Sequence, residues 1–367
     1  MNLLYAFVTL MAIGAFGVDY TPDLEEYIFN PRLPLLSQLN IIDAIPLTNA
    51  TATSTSNRFP TKEQIIYYNY YAAVNYFYDL QNLTCEYCEK IKPDIADHKV
   101  FYNGTHNTLA MVALSNTRKE IVVSFRGSAN SWNLVLDFAF LFNVKERGNI
   151  KVHAGFYIAT MSLYEHVVQA IAYYRQDHPN YKIVITGLSL GGAMARMTLF
   201  FLKDRNQFDN ATYELYTFGE FRVGNIYFAE YMNSLNITSV RVVHRADIIC
   251  HLPPVTVLGT NILYDFYFHP QNEYWINGSD GQKFCSQNVY EDASCSNSIG
   301  PAYSLVDHFT YFDVNIAGAF AQPLQLASIA FNILPVETSL PPLPKFIGNP
   351  LEDLLNTVIG GLVPSLG

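Results

Sequence analysis

The sequence predicts an α/β fold, a largely parallel central sheet with helices on its faces. Three observations lead there. Short apolar runs alternate with longer helical segments along much of the chain, the pattern of βα units. A glycine-rich turn, Gly187-Leu188-Ser189-Leu190-Gly191-Gly192, sits between one such run and an Ala/Met-rich helical segment. Half of the 367 residues are hydrophobic, enough to cover a sheet from both sides.

Taken in order, residues 1–17 read as a signal peptide: Leu3 to Phe16 carry no charge, and Ala15 and Gly17 are the small residues that cleavage requires. The segment has no Lys or Arg ahead of it and is too short to span a bilayer comfortably. Residues 18–60 are a Pro-, Asn- and Thr-rich extension. A helix is expected from Thr61, with Gln64 completing a capping box, to about Leu80. Its many aromatic residues read as core. Strands are expected at 108–115 and 119–125, then a helix from Gly155 to about His178. Tyr181 to Thr186 reads as a buried strand and Ala193 to Lys203 as a helix, with further strands at 213–218 and 239–244. The main domain is expected to cover 61–320. Residues 321–367 form an apolar, Pro-rich tail with a short amphipathic helix at Leu351 to Leu362, suited to packing on the domain or on a lipid surface. Glu352 and Asp353 weigh against a GPI signal there.

The net charge of -10 argues against a nucleic-acid partner. Six Asn-x-Ser/Thr sequons, at Asn49, Asn82, Asn103, Asn210, Asn236 and Asn277, together with the leader suggest a secreted glycoprotein. In an oxidising compartment the five cysteines are expected to form two bridges, Cys85–Cys88 and Cys285–Cys295, leaving a buried Cys250. A zinc reading of Cys85-x-x-Cys88 lacks a second pair.

A strand–turn–helix around G-x-S-x-G is the nucleophile elbow of the α/β-hydrolase fold, with Ser189 as nucleophile. The turn is so tight that glycines must flank the serine. A serine hydroxyl needs a base, and in this fold acid and base follow the serine in the chain. Asp247 follows a strand, with Asp265 and Asp280 as rivals. His308 precedes an apolar Phe/Tyr run; His244, His251 and His269 are the alternatives. Two oxyanion donors are required: the backbone N–H of Leu190, and Ser128 at the end of strand 119–125. The stretch 129–142 contains Trp132, Leu134, Val135, Leu136 and Phe138. It reads either as core or as a lid over Ser189 that opens at an oil–water interface.

These residues resemble a known family, the fungal class 3 triacylglycerol lipases, with the secreted yeast members looking nearest. The likeness covers roughly 60–315. It is carried by Phe125-Arg-Gly-Ser128, Val152-His-Ala-Gly-Phe156, Thr186-Gly-Leu-Ser-Leu-Gly-Gly-Ala193, and His244-Arg-Ala-Asp247 with Leu252-Pro-Pro254. Glu273-Tyr-Trp-Ile276 and Asp307-His308 with Tyr311 complete it. The resemblance implies a triad of Ser189, Asp247 and His308, oxyanion donors Ser128 and Leu190, and a lid at about 129–142. It further implies ester hydrolysis with no metal or organic cofactor. Two positions depart from the pattern: Leu188 stands where the family has His, and Phe221 where it has Pro. Both bear on pocket shape and so on substrate preference.

The expected protein is thus a secreted triacylglycerol lipase working on lipid at an oil–water interface, with contact to a membrane surface or lipid droplet open. The alternatives are a phospholipase A1, a feruloyl or other soluble-ester esterase, and a non-catalytic secreted binding protein. Acyl-chain length, regioselectivity and oligomeric state are not legible in the sequence.

Overall fold

The computed structural model describes residues 59–77, 80–127, 143–253, 255, 267–278, 281–287, 289–299, 303–320 and 334–335. The expected leader, Ser128, the segment 129–142 and nearly all of the tail lie outside them.

Helix α1 (Lys62–Val74) opens with the expected capping box: Gln64 N donates to Thr61 Oγ1 and Thr61 N to Gln64 Oε1. It stops six residues before the expected Leu80. Asn75 ends it, turning its amide onto Tyr71 O and Ser124 Oγ. Strands β1 (Asp97–Asn103), β2 (Thr108–Ser115) and β3 (Glu120–Phe125) form an antiparallel meander. β4 (Asn143–Arg147) and β5 (Ile150–His153) form a hairpin leading into the long helix α2 (Ala154–Asp177). His153 caps α2 by accepting from Gly155 N and Phe156 N, which explains the V-H-x-G-F motif: an acceptor at the N-cap satisfies orphan amides.

β6 (Lys182–Leu188) runs into α3 (Leu190–Asp204), and β7 (Tyr213–Phe218) follows. Then come β8 (Gly224–Asn225), α4 (Ile226–Ser234), β9 (Thr238–His244), β10 (Tyr267–Phe268), β11 (Glu273–Ile276) and β12 (Gln282–Phe284). A short hairpin, β13 (Thr310–Tyr311) with β14 (Val314–Asn315), and β15 (Leu334–Pro335) complete the strands.

The main sheet has the order β12-β11-β9-β7-β6-β3-β2-β1-β15. Its five central strands, β11, β9, β7, β6 and β3, are parallel; β12 flanks them antiparallel on one side, and on the other β2 and β1 continue antiparallel, with β15 parallel to β1. A smaller sheet has the order β10-β8-β5-β4.

Successive side chains of a strand face opposite sides, and here both sides are dry. Ile121, Val123, Phe125, Ile183 and Ile185 pack under α2 and α3. Val122, Val184, Leu188, Tyr216 and Phe218 pack under α1. Burial on both faces is why these strands read as continuous apolar runs. The same geometry brings the carboxyl ends of β3, β6, β7 and β9 to one edge, where open α/β sheets present functional groups. Among the described residues, no helix is long and apolar enough to cross a membrane.

Cys85–Cys88 and Cys285–Cys295 are disulfide-bonded and Cys250 is a buried free thiol. The bond closes the zinc reading of the first pair. Among the sequons, Asn82, Asn210, Asn236 and Asn277 are exposed and Asn49 lies outside the described residues. Asn103 departs from the glycan expectation: its side chain is buried, donating to Ser162 O and accepting from His106 N.

Candidate active site

Ser189 occupies the one-residue turn between β6 and α3, at φ 62° and ψ −130°. A non-glycine residue holds that conformation only when its surroundings enforce it. They do so through backbone contact. Ser189 N donates to Phe218 O at 2.8 Å, and Gly192 N to Ser189 O at 2.9 Å. A Cβ on Gly187 would collide with the Gly191 carbonyl, and one on Gly191 with the Phe125 carbonyl. The glycines of the motif are therefore required by the close approach of three backbone segments. Leu190 begins α3, so its N–H is among the amides that the helix itself leaves unpaired.

Asp247 lies three residues past β9 and is fully buried. Ile249 N donates to its Oδ1 at 2.8 Å, and the His308 Nδ1 lies 2.7 Å from its Oδ2. Tyr311 Oη donates to the same Oδ2 at 2.5 Å. Burial pushes the carboxyl upward, but His308 and the hydrogen bonds from His308, Tyr311 and Ile249 outweigh it, holding it below the usual range.

His308 sits in a 3-10 turn, Val306–Phe309. A two-way strap holds this turn against the Asp247 loop: Ser304 N donates to Ala246 O at 2.7 Å and Ile248 N to Ser304 O at 3.2 Å. Asp307 adds to it, its carboxylate accepting from Ala246 N at 3.2 Å. Gly219, at φ +54°, is the common floor: a Cβ there would lie 2.7 Å from His308 Cε1 and 2.9 Å from Asp247 Oδ2. Ser189 and the His308–Asp247 pair thus border the same Phe218–Gly219 peptide.

The rival bases are engaged elsewhere. His244 Nδ1 lies 3.0 Å from Asp307 O, His251 Nδ1 3.0 Å from Asp247 O, and His269 Nε2 2.7 Å from Cys250 O. Of the expected site residues, Ser189, Leu190, Asp247 and His308 converge at this edge. Ser128, Trp132, Leu134, Val135, Leu136 and Phe138, and the rival acids Asp265 and Asp280, lie outside the described residues.

Both departures from the family pattern are core residues. Leu188 packs in the α1-side core, and Phe221 lies against Phe156 with ring centroids 5.1 Å apart. Sequence reasoning missed Gly219, whose necessity appears only once His308 is placed. It also missed the buried pair of Arg196 and Glu220 behind the elbow. Arg196 Nη2 meets Glu220 Oε2 at 2.7 Å, with a second contact from Arg196 Nε and one from Thr217 Oγ1. Among the described residues, Glu273, Cys285 and Cys295 are the only potential metal ligands that cluster, and both sulfurs are in a disulfide.

A parallel sheet, helices on both faces and a strained serine at a strand-to-helix turn define the class: this is an α/β-hydrolase fold. Within that class, residues 122–257 match the family model for lipase, class 3. A lipase of Rhizomucor miehei is 30% identical over 283 residues, covering 75% of this chain and 74% of the relative. The chain belongs to the class 3 lipase family. A lipase of Rhizopus niveus is 36% identical over 238 residues, which cover 63% of this chain and 57% of that relative's length. A solved triacylglycerol lipase, whose catalytic centre is formed by a serine-protease triad, superposes with a TM-score of 0.63 at 30% identity. The match covers 71% of this chain and 99% of that one.

Proposed function

We propose that this chain is a secreted, glycosylated triacylglycerol lipase, and that Ser189, His308 and Asp247 form its catalytic triad. The observation that carries the reading is the 2.7 Å contact between His308 Nδ1 and a buried Asp247 carboxylate on the peptide that also receives Ser189 N. With Nδ1 facing the carboxylate, Nε2 is the nitrogen that serves the Ser189 proton. His308 takes that proton as Ser189 Oγ attacks the ester carbonyl. Asp247 fixes the tautomer and stabilises the imidazolium. The N–H of Leu190 and Ser128 hold the oxyanion. His308 returns the proton to the departing alcohol, and water then cleaves the acyl-enzyme by the same route.

The proposed organisation is a leader at 1–17, an extension at 18–60, the hydrolase domain at 61–320 and a tail at 321–367. Residues 129–142 serve as a lid whose apolar side chains meet lipid. Export is supported by the leader's composition and by the four exposed sequons.

Replacing Ser189 by Ala should cut turnover about 10³-fold or more and abolish labelling by a fluorophosphonate probe; a variant with full activity removes the assignment. Rates on a tributyrin emulsion, phosphatidylcholine vesicles and a soluble aryl ester separate lipase from phospholipase A1 and soluble esterase. The lipase reading requires a rate that climbs as triglyceride passes its solubility limit.

A further inference from the structure

We infer that Tyr76 is a positioning residue for ester cleavage, its phenol fixing the spacing between the two loops that carry the proposed oxyanion donors. The inference rests on the function proposed above and adds a residue to its machinery. Tyr76 lies just beyond the end of α1, is buried, and reaches across the edge of the sheet. Its O–H donates to Leu188 O at 3.0 Å, and its oxygen accepts from Gly127 N at 3.0 Å. Leu188 is the residue before the nucleophile, and Gly127 the residue before Ser128. One hydroxyl therefore joins the elbow to the loop that follows β3.

The two segments are pressed together at that point. A Cβ on Gly127 would overlap the Tyr76 hydroxyl and would lie 2.7 Å from Leu188 O and 3.0 Å from Ser189 Cβ. The glycine lets the loop descend to the serine, and the phenol holds it there. The anchor of the tyrosine is itself braced, since the neighbouring Asn75 Nδ2 donates to Ser124 Oγ on β3 at 2.9 Å. Only a group that both donates and accepts can serve a buried N–H and a buried C=O at once. Phenylalanine would leave both groups unpaired, at the desolvation cost of each, and the two loops free to separate. Oxyanion stabilisation depends on donors already placed where the charge develops, so such loosening acts on the transition state more than on substrate binding.

The test compares Tyr76→Phe with Tyr70→Phe, which removes a hydroxyl of α1 that instead bonds Asp313 at 2.5 Å. On a soluble ester, Tyr76→Phe should lower kcat about 10-fold with KM within about two-fold, less than the 10²–10³ lost when a donor is deleted. Its fluorophosphonate labelling rate should fall in parallel. Tyr70→Phe should keep the wild-type kcat. A Tyr76→Phe protein with wild-type kcat and labelling rate overturns the inference, as does an equal loss in both variants. Should Tyr76→Phe not fold, amide exchange in the wild-type protein decides. Slow exchange at Gly127 N supports the bond, and exchange at open-loop rates overturns it. A wild-type protein that the probe does not label defeats the parent reading, a result distinct from a labelled wild type with an unimpaired variant.

Discussion

The phenol of Tyr311 and the imidazole of His308 converge on one oxygen, Oδ2 of Asp247, at 2.5 and 2.7 Å. That oxygen is fully buried, and the second carboxylate oxygen takes the backbone N–H of Ile249. Losing the phenol removes a hydrogen bond to a charged group, worth about 1.5–3 kcal/mol. Tyr311→Phe should lower the unfolding free energy by that amount and let the Asp247 carboxyl rise. The acid limb of the kcat profile should then move to higher pH, read from a pH–rate series on a soluble ester.

Gly219 is required twice over, by its positive φ and by the His308 and Asp247 side chains that rest on it. Gly219→Ala should displace His308 or Asp247 and cut kcat on the order of 10²-fold, the scale of an ångström-sized misplacement. Circular dichroism should show the fold retained while fluorophosphonate labelling collapses. Labelling at the wild-type rate would contradict the placement of His308.

Behind the elbow, Arg196 and Glu220 are both buried and bonded to each other through two contacts. Breaking one partner leaves an uncompensated charge, so Glu220→Gln should cost about 3–5 kcal/mol. The paired replacement Arg196→Met with Glu220→Leu should recover most of that loss. Denaturant midpoints of the three proteins check this; a double variant no better than the single one would show that the ions, and not their volume, hold the elbow.

Acid should destabilise the protein in stages. Burial, then Arg241 and Arg222, hold His269 well below its usual 6.5, so it is neutral in the fold and protonates on unfolding. Burial opposes ionisation of Glu291, but the charge of Arg222 and its two hydrogen bonds hold the carboxyl far below 4.5. Asp247 is likewise held below 3.8. In each case the unfolded chain binds the proton more readily, so stability is full above the unfolded value and falls as pH drops below it. Thermal melts of the Ser189→Ala protein should show Tm declining from about pH 6.5, first through His269, and more steeply below 4.5. His269→Gln should flatten the upper part of that curve and leave the lower part in place.

The central strands were legible because each is a short apolar run buried on both faces. Residues 108–115 and 213–218 were placed to the residue, and the elbow was legible because a turn that tight tolerates little but glycine. Helix α1 was overdrawn because its end depends on Asn75 reaching Ser124, a partner 49 residues away. Local chemistry favoured His308 among four downstream histidines but left the others open, and family likeness narrowed the choice further. In the folded chain His244, His251 and His269 each meet a backbone carbonyl and only His308 meets the buried carboxylate.

Local sequence, then, determined the alternation of strand and helix, the strained serine and the capping of α1 and α2, since each depends on residues a few positions apart. The tertiary structure alone decided which carboxylate meets which imidazole, that Gly219 must lack a side chain, and that Tyr76 closes the gap between elbow and loop. Those partners are 61 residues apart for His308 and Asp247 and 51 for Tyr76 and Gly127. Their meeting follows from the strand order β9-β7-β6-β3. Periodicity reports which face of an element is buried; it carries no record of which element lies beside it.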